Sequence, residues 1–199
     1  NSQTLTGVVA TAAVATTNVG DVSITQNTLT NANNANYDIT YNNTNAAFSV
    51  VRRDVTVTAY AGQSKIYGAT DPGFNYTTQA LSGNVGLISG DSLTGDLSRA
   101  TGETVSSTYA IGQGTVNNSN NPNYNIIFVA DNFAITKRAI TLSANSATKV
   151  YGQSDPSFGA TLSSGTLATI NGTQDSLTSV TGTLSRTSGE NVGNYNLLL

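Results

Sequence analysis

The sequence predicts an all-β protein built from small β-sandwich modules of immunoglobulin-like size, joined end to end. Three observations lead to this fold class. Apolar and polar residues alternate along several short segments, turn-forming residues separate those segments, and a set of motifs recurs along the chain. A β-grasp-like sheet is the alternative topology, but residues 84–93 offer at most one turn of helix, which counts against it.

The predicted strands follow from a period of two. Residues 55–59 and 140–144 each place an apolar side chain at every second position, which is typical of a half-buried strand. Turn signals such as Tyr-Gly, Asp-Pro and Ser-Gly-Asn separate further predicted strands. These lie at 73–80, 95–100, 107–113, 123–129 and 132–137.

The recurring motifs define the repeat. A first motif reads Lys65, Tyr67, Gly68, Asp71 and Pro72, and 84 positions later the same pattern reads Lys149, Tyr151, Gly152, Asp155 and Pro156. Residues 95–99 recur at 182–186, and residues 102–103 recur at 189–190. Towards the start of the chain, residues 36–39 resemble 123–126, and residues 48–53 resemble 133–138. Self-similarity at a fixed period is the signature of a repeat protein.

The repeats predict three segments. Residues 54–138 form one complete module, residues 1–53 form the C-terminal part of another, and residues 139–199 form the N-terminal part of a third. We therefore expect a longer parent chain. The boundaries at 48–59 and 133–144 contain no Gly or Pro, so the last strand of one module is expected to continue almost directly into the next. This predicts a semi-rigid rod in which neighbouring repeats of the same chain are partners.

Composition excludes several functions. The chain has no His and no Cys, which removes the commonest general base, the Ser-His-Asp arrangement and thiolate metal sites. A net charge of −3 with thinly spread Lys and Arg argues against nucleic acid. No apolar run is long enough to span a membrane. We therefore expect neither an enzyme nor a bound cofactor.

The repeated acids allow two interpretations. Asp71 and Asp155 precede Pro, which favours an Asp-capped turn. The alternative is a Ca²⁺ site at a loop or module junction, but calcium needs roughly six to eight oxygen ligands and few acids cluster here.

The repeated basic residues also allow two interpretations. Lys65 and Lys149 fit a lysine at a strand end whose ammonium reaches water, while the alternative is a Lys–Asn isopeptide crosslink. Arg99 and Arg186 each precede a Glu by four positions, which favours a cross-turn ion pair with Glu103 and Glu190.

Two tyrosines extend the comparison with immunoglobulin-like sandwiches. Tyr109 and Tyr195 occupy positions where a tyrosine-corner-like contact is expected.

Taken in order, these motifs resemble the MBG repeat of the YGX type, close to the YDG repeats, over essentially the whole chain. The resemblance is weakest at residues 104–107, where the usual Val-Gly is missing. Such modules occur in tandem in very large bacterial surface proteins, often of the filamentous-haemagglutinin or two-partner-secretion type. The resemblance implies an extracellular location and no catalytic residues.

The function expected from this resemblance is a stalk or spacer of a bacterial surface adhesin that projects a distal binding domain. Two alternatives remain. One is a module that binds a host or matrix glycan or protein through its polar loops. The other is a self-associating subunit of a surface or biofilm fibre, since few charges protect its strand edges.

Overall fold

The computed structural model describes residues 3–44, 46–179 and 182–198, and it confirms the predicted all-β class. Sixteen strands occur in this part of the chain: β1 Ala10–Thr11, β2 Gly20–Thr25, β3 Ala47–Val50, β4 Arg53–Ala59, β5 Ser64–Ile66, β6 Tyr76–Thr78, β7 Ser98–Arg99, β8 Ser106–Gly112, β9 Tyr124–Val129, β10 Asn132–Thr136, β11 Thr141–Ala144, β12 Ala160–Ser164, β13 Thr169–Ile170, β14 Thr173–Gln174, β15 Ser185–Arg186 and β16 Leu197–Leu198. The helices of these residues are two single-turn 3₁₀ segments, Asn31–Asn33 and Leu177–Ser179. Neither is long or apolar enough to cross a bilayer.

The structure contains strands in every segment where the alternating pattern predicted one within residues 54–138. The clearest case is β4, in which Val55, Val57 and Ala59 are buried and the residues between them are less so. β5 was not predicted, because its central residue is a lysine. The outer limits of the two partial modules, residues 1 and 199, lie outside the described residues.

The chain divides into two compact units. The first comprises Asn1–Tyr60, Phe74–Ser98 and Ile111–Asp131. It contains the sheet β1-β2-β3, which is antiparallel, and the sheet β6-β4-β9, in which β4 pairs antiparallel with β6 and parallel with β9. Its core is formed by the three buried β4 residues together with Leu97, Ile111, Val116 and Tyr124.

The second unit comprises Ala61–Gly73, Arg99–Ala110 and Asn132–Leu199. It is built around the sheet β5-β10-β8-β7, in which β10 pairs parallel with β5 and antiparallel with β8. Three two-stranded antiparallel sheets follow: β11-β12, β13-β14 and β15-β16. Phe133 and Ile135 alternate on β10 as its buried residues, and Ala168 is buried further along.

The strands at the two predicted module boundaries are interrupted rather than continuous. β3 ends at Val50 and β4 begins at Arg53, while β10 ends at Thr136 and β11 begins at Thr141. At these boundaries Arg53, the first residue of β4, and Arg138, between β10 and β11, donate from their guanidinium groups to backbone carbonyl oxygens. The expectation that one strand continues almost directly into the next is therefore wrong at both boundaries, where two and four residues separate the strands.

Candidate functional site

We call the complete module, residues 54–138, the first repeat and residues 139–199 the second repeat. Four charged side chains of the first repeat form a closed ring, here called the first charge ring: Lys65, Asp71, Arg99 and Glu103. Lys65 Nζ lies 2.6 Å from Asp71 Oδ1 and 2.5 Å from Glu103 Oε2. Arg99 Nε lies 2.6 Å from Asp71 Oδ2, and Arg99 Nη2 lies 2.6 Å from Glu103 Oε1. Each acid thus bridges both bases, and the ring is electrically neutral.

The strands bring these residues together from distant parts of the sequence. Lys65 is the buried centre of β5 and pairs with Ile135 of β10, and Arg99 ends β7. The Arg99 guanidinium carbon also lies 5.2 Å from the centre of the Tyr109 ring and 5.4 Å from that of Phe133. A guanidinium placed over aromatic faces gains electrostatic attraction in addition to its ion pairs. The sheet therefore holds the two cations, and the loops carry the two acids to them.

The second repeat forms the same ring 84 to 87 positions later, from Lys149, Asp155, Arg186 and Glu190. Lys149 Nζ lies 2.8 Å from Asp155 Oδ1 and 2.6 Å from Glu190 Oε2. This second charge ring is more open: the Lys149 side chain is 19% exposed against 4% for Lys65, and Glu190 is 68% exposed against 33% for Glu103. The two rings contain four of the eight basic residues of the chain, so half of its positive charge is paired within them.

In each repeat a tyrosine packs against the ring arginine, and a glycine packs against that tyrosine. Tyr109 donates its hydroxyl to the carbonyl oxygen of Thr104 at 2.8 Å, and Tyr195 donates to that of Asn191 at 2.7 Å. The tyrosine-corner-like contact predicted from the sequence is confirmed by these two bonds. Gly102 has φ +140°, and a Cβ there would lie 2.5 Å from the Tyr109 ring. Glycine is therefore required on both backbone and steric grounds.

The ring stabilises the charged form of all its members. Hydrogen bonds from Arg99 and then Lys65 lower the pKa of Asp71. The bond from Lys65, with that from Arg99, lowers the pKa of Glu103. Burial acts to lower the pKa of Lys65, but the bonds to Asp71 and Glu103 together outweigh it and the pKa is raised. In the second ring the pKa values of Asp155 and Glu190 are likewise lowered, chiefly by Arg186 and Lys149 respectively.

The ring geometry can be compared with the two alternative interpretations of its residues, a Ca²⁺ site and a Lys–Asn isopeptide crosslink. No group of three or more acidic residues that could hold a metal occurs in the part of the chain that the structure describes. Both oxygens of Asp71 instead face cations. An isopeptide bond needs an uncharged amine, whereas Lys65 Nζ lies between the carboxylates of Asp71 and Glu103, an environment that favours its charged form. The geometry favours a non-covalent clamp that ties β5, β7 and two loops together.

Tyr67 and Gly68, which belong to the same motif as Lys65, contact the second repeat and not the charge ring. The hydroxyl of Tyr67 lies 3.5 Å from Asp175 Oδ1, a long hydrogen bond, and this contact raises the tyrosine pKa. Gly68 has φ +78°, and a Cβ there would lie 2.5 Å from the Cβ of Ala168. Tyr67 and Gly68 of the first repeat thus contact the 168–175 segment of the second. Pro72 and Pro156 are exposed beside the ring acids.

An arginine completes this contact, and we call Tyr67, Gly68, Arg138, Thr166 and Ala168 the module junction. Arg138 donates from Nε to the carbonyl oxygen of Tyr67 at 2.8 Å and from Nη1 to the Thr166 hydroxyl at 3.3 Å. It stands two residues beyond the last strand of the first repeat and reaches both repeats. The two connected repeats are therefore held by side chains as well as by the chain itself.

The equivalent arginine at the earlier boundary acts similarly. Arg53 donates from Nε to the carbonyl oxygen of Gly86 at 3.0 Å and also to that of Gly83. Its neighbour Arg52 donates to the carbonyl oxygen of Pro122 at 3.1 Å. In both places a boundary arginine binds a loop of the next repeat: Arg53 binds the loop after β6, and Arg138 binds Thr166 just after β12.

In the second repeat Tyr151 and Gly152 have the same sequence context but different surroundings. Tyr151 is exposed, and a Cβ built on Gly152 would meet no atom within 4 Å. The motif Lys-x-Tyr-Gly thus has an inward part, the ring lysine, and an outward part that receives a following repeat. Sequence reasoning singled out these residues but missed the junction roles of Arg138 and Ala168. The arginine that recurs at positions 53 and 138 was the sequence feature that could have indicated the role of Arg138.

A chain that repeats one small all-β unit, with the same charge ring in residues 54–138 and again in residues 139–199, belongs to the class of tandem β-repeat proteins. The family model for the MBG domain (YGX type) matches residues 55–134 and again residues 140–199. These matches cover more than half of the chain, which therefore belongs to the MBG domain family of the YGX type. No curated protein and no solved structure matches the chain.

Proposed function

We propose that these modules are structural spacer repeats of an extracellular bacterial surface protein, and that they hold a distal part of an adhesin away from the cell. The observation that carries the proposal is the module junction. Arg138 binds Tyr67 and Thr166, and Gly68 packs closely against Ala168. Family membership supports a role in surface-protein repeats.

The junction suits a spacer because it fixes one module against the next. A flexible linker of Gly and Ser lets modules move independently, so distance along the chain is not converted into reach. Here the connection 137–140 contains Lys, Arg, Ala and Ile, and its arginine is bonded on both sides. Repeats that interact with their nearest neighbours keep a constant spacing as they accumulate.

No catalytic role is part of this proposal. The chain has no His or Cys, and the acids of the two rings are neutralised by bases at 2.5–2.8 Å. A carboxylate held in this way is a poor general base, since its lowered pKa disfavours proton uptake.

The proposal can be tested by measuring the distance between modules. Thr101 and Ser188 are exposed and occupy equivalent positions in the two repeats, and the chain has no Cys of its own. Spin labels on Thr101→Cys and Ser188→Cys should give a narrow distance distribution in a double electron–electron resonance experiment on dilute protein. Adding Tyr67→Ala and Arg138→Ala should broaden that distribution while the strands remain folded.

A matched control keeps the same residue types and the same change in charge. Tyr151→Ala with Arg52→Ala alters an exposed tyrosine and a boundary arginine that binds Pro122. This pair should leave the distribution between the two labels narrow. A broad distribution in the otherwise unaltered protein would contradict the spacer proposal.

A further inference from the structure

One basic side chain differs from the other seven of the chain, all of which lie within the described residues. Lys137 is exposed and forms no hydrogen bond or ion pair with any described residue. The other seven donate to carboxylates or to backbone carbonyl oxygens: Arg52, Arg53, Lys65, Arg99, Arg138, Lys149 and Arg186. A binding partner can therefore take the Lys137 side chain without first breaking a contact.

The backbone around Lys137 is also free of sheet structure. Residues 137–140 belong to no strand and form the connection between the two repeats. Within the described part of the chain, the backbone groups of residues 137–139 form no hydrogen bond. Proteolytic nicking concentrates where exposed backbone is not tied down by hydrogen bonds. The connection therefore combines an accessible backbone with an accessible basic side chain.

The earlier boundary offers a comparison within the same chain. The basic pair Arg52-Arg53 holds the place there that the pair at 137–138 holds at the later boundary. However, the Arg52 side chain donates to the carbonyl oxygen of Pro122 at 3.1 Å, and the Arg53 backbone amide donates to that of Asn123 at 3.0 Å. A protease must break both bonds to bring that peptide bond into its active site. The two boundaries thus carry the same kind of basic pair, and only the later one is accessible.

We propose that the peptide bond between Lys137 and Arg138 is a proteolytic processing site for serine proteases of trypsin-like specificity. The specificity pocket of such a protease carries a carboxylate that binds a basic side chain. Water is the second reactant: the bond from the Lys137 carbonyl carbon to the Arg138 nitrogen breaks, the carbon gains the hydroxyl, and the nitrogen gains the proton. After the cut, non-covalent contacts alone join the two repeats. Release of a distal part from a cell surface rests on the proposed function, whereas the cleavage itself does not.

Arg138, on the other side of this peptide bond, limits the rate of the cut. Its guanidinium group binds the carbonyl oxygen of Tyr67 at 2.8 Å and the hydroxyl of Thr166 at 3.3 Å. These two bonds hold the connection against the module junction. A segment that opens rarely is cut slowly, because cleavage follows the population of the open form. Loss of the Arg138 contacts should therefore speed the cut.

Limited digestion of the full, folded chain with trypsin tests the site. The first products, identified by intact mass, should be fragments 1–137 and 138–199. Cleavage after Arg52 should be slower by about tenfold or more, because two hydrogen bonds must open first. The same chain unfolded in urea should be digested throughout, which shows that the protease is active. A first cut at any other residue, or a folded chain that stays intact, would overturn the proposal.

Substitutions at the boundaries give a second readout of the same site. Lys137→Gln should abolish the first cut, and Lys137→Arg should preserve it. Arg52→Gln, the matched change at the earlier boundary, should leave it unchanged. Arg138→Ala should speed cleavage after Lys137 several-fold, because the two bonds to the junction are lost.

Two outcomes would refute the role of these residues. One is a connection cut at an unchanged rate in Lys137→Gln, and the other is a slower cut in Arg138→Ala. Because this experiment measures a cleaved bond and not the distance between spin labels, its failure is distinguishable from failure of the spacer proposal.

Discussion

Gly68 and Gly152 stand at the same place in two copies of one motif, yet their surroundings differ. Both adopt a positive φ, +78° and +87°, which an L side chain adopts only at a cost of about 1–2 kcal/mol. Gly68 in addition faces the Cβ of Ala168, whereas Gly152 faces open space. Comparing the two glycines therefore separates the cost of a side chain at positive φ from the cost of a steric clash.

We expect Gly68→Ala to be more disruptive than Gly152→Ala. Both substitutions place an L side chain at a positive φ, which costs stability. Only Gly68→Ala also brings its Cβ to 2.5 Å from the Cβ of Ala168. Hydrogen exchange at residues 64–69 and 148–153 measures the two effects separately. Ala168→Gly should rescue Gly68→Ala in part by removing the opposing carbon. Equal effects of the two glycine substitutions, with no rescue, would show that the junction contact contributes nothing.

The charge ring is the clearest case of what a local sequence pattern can and cannot reveal. Lys-Ile-Tyr-Gly reads as a strand end because a lysine is normally exposed, and the i,i+4 pair Arg99–Glu103 is visible in the sequence. Lys65 is buried only because Asp71 and Glu103 neutralise it. Those partners lie 6 and 38 positions away, so no period or motif announces the contact. The Arg99–Glu103 pair was predictable, but the contacts of Lys65 and the closed ring were not.

At the scale of elements, alternation predicted β4 well because one of its faces is buried. The parallel pairings β4–β9 and β5–β10 were not predictable, since residues far apart in sequence decide them. The same limit explains the second repeat: residues 148–150 carry the β5 sequence without forming a strand there. Strand formation here depends on a neighbouring strand more than on local sequence.

The ring should make the sheet β5-β10-β8-β7 sensitive to acid. The folded-state pKa values of Asp71 and Glu103 lie below the ordinary values of 3.8 and 4.5. Their contribution to stability is therefore fully present above those ordinary values and is lost as the pH falls through the lowered ones. Unfolding by urea, followed across about pH 2 to 6, should show stability falling at the acid end.

A single substitution tests the source of that acid sensitivity. Asp71→Asn should flatten the dependence on pH, because the amide cannot gain a proton and cannot pair with Lys65 and Arg99. Asp96→Asn, an exposed position outside both rings, should leave the slope as it is. The ring is not responsible if the two variants titrate alike.

At the scale of the whole molecule, the junction should couple the stability of one repeat to that of the next. Ile135 is buried on β10, and Ile135→Ala should destabilise the first repeat by about 3 kcal/mol through lost burial and a cavity. Since the junction residues bind across the boundary, the second repeat should lose part of its stability as well.

Hydrogen exchange resolves this coupling. Amides of β11 and β12 in the second repeat should exchange faster in Ile135→Ala, and this increase should disappear when Tyr67→Ala and Arg138→Ala have already separated the repeats. Ile66→Ala, an exposed position on the adjacent β5, should change neither repeat. Unaltered exchange in β11 and β12 would show that the repeats fold independently.

The parallel pairing of β4 with β9 has a mechanical consequence. Their ladder runs in register from Arg53 opposite Tyr124 to Thr58 opposite Val129. When the chain is pulled from both directions, tension enters β4 at its N-terminal end and reaches β9 at its C-terminal end through β10. The two strands are then loaded in shear, so their hydrogen bonds resist together rather than opening one by one as in an unzipped hairpin. Such a ladder opposes force through its hydrogen bonds, and because the chain has no Cys, its refolding would need no disulfide chemistry.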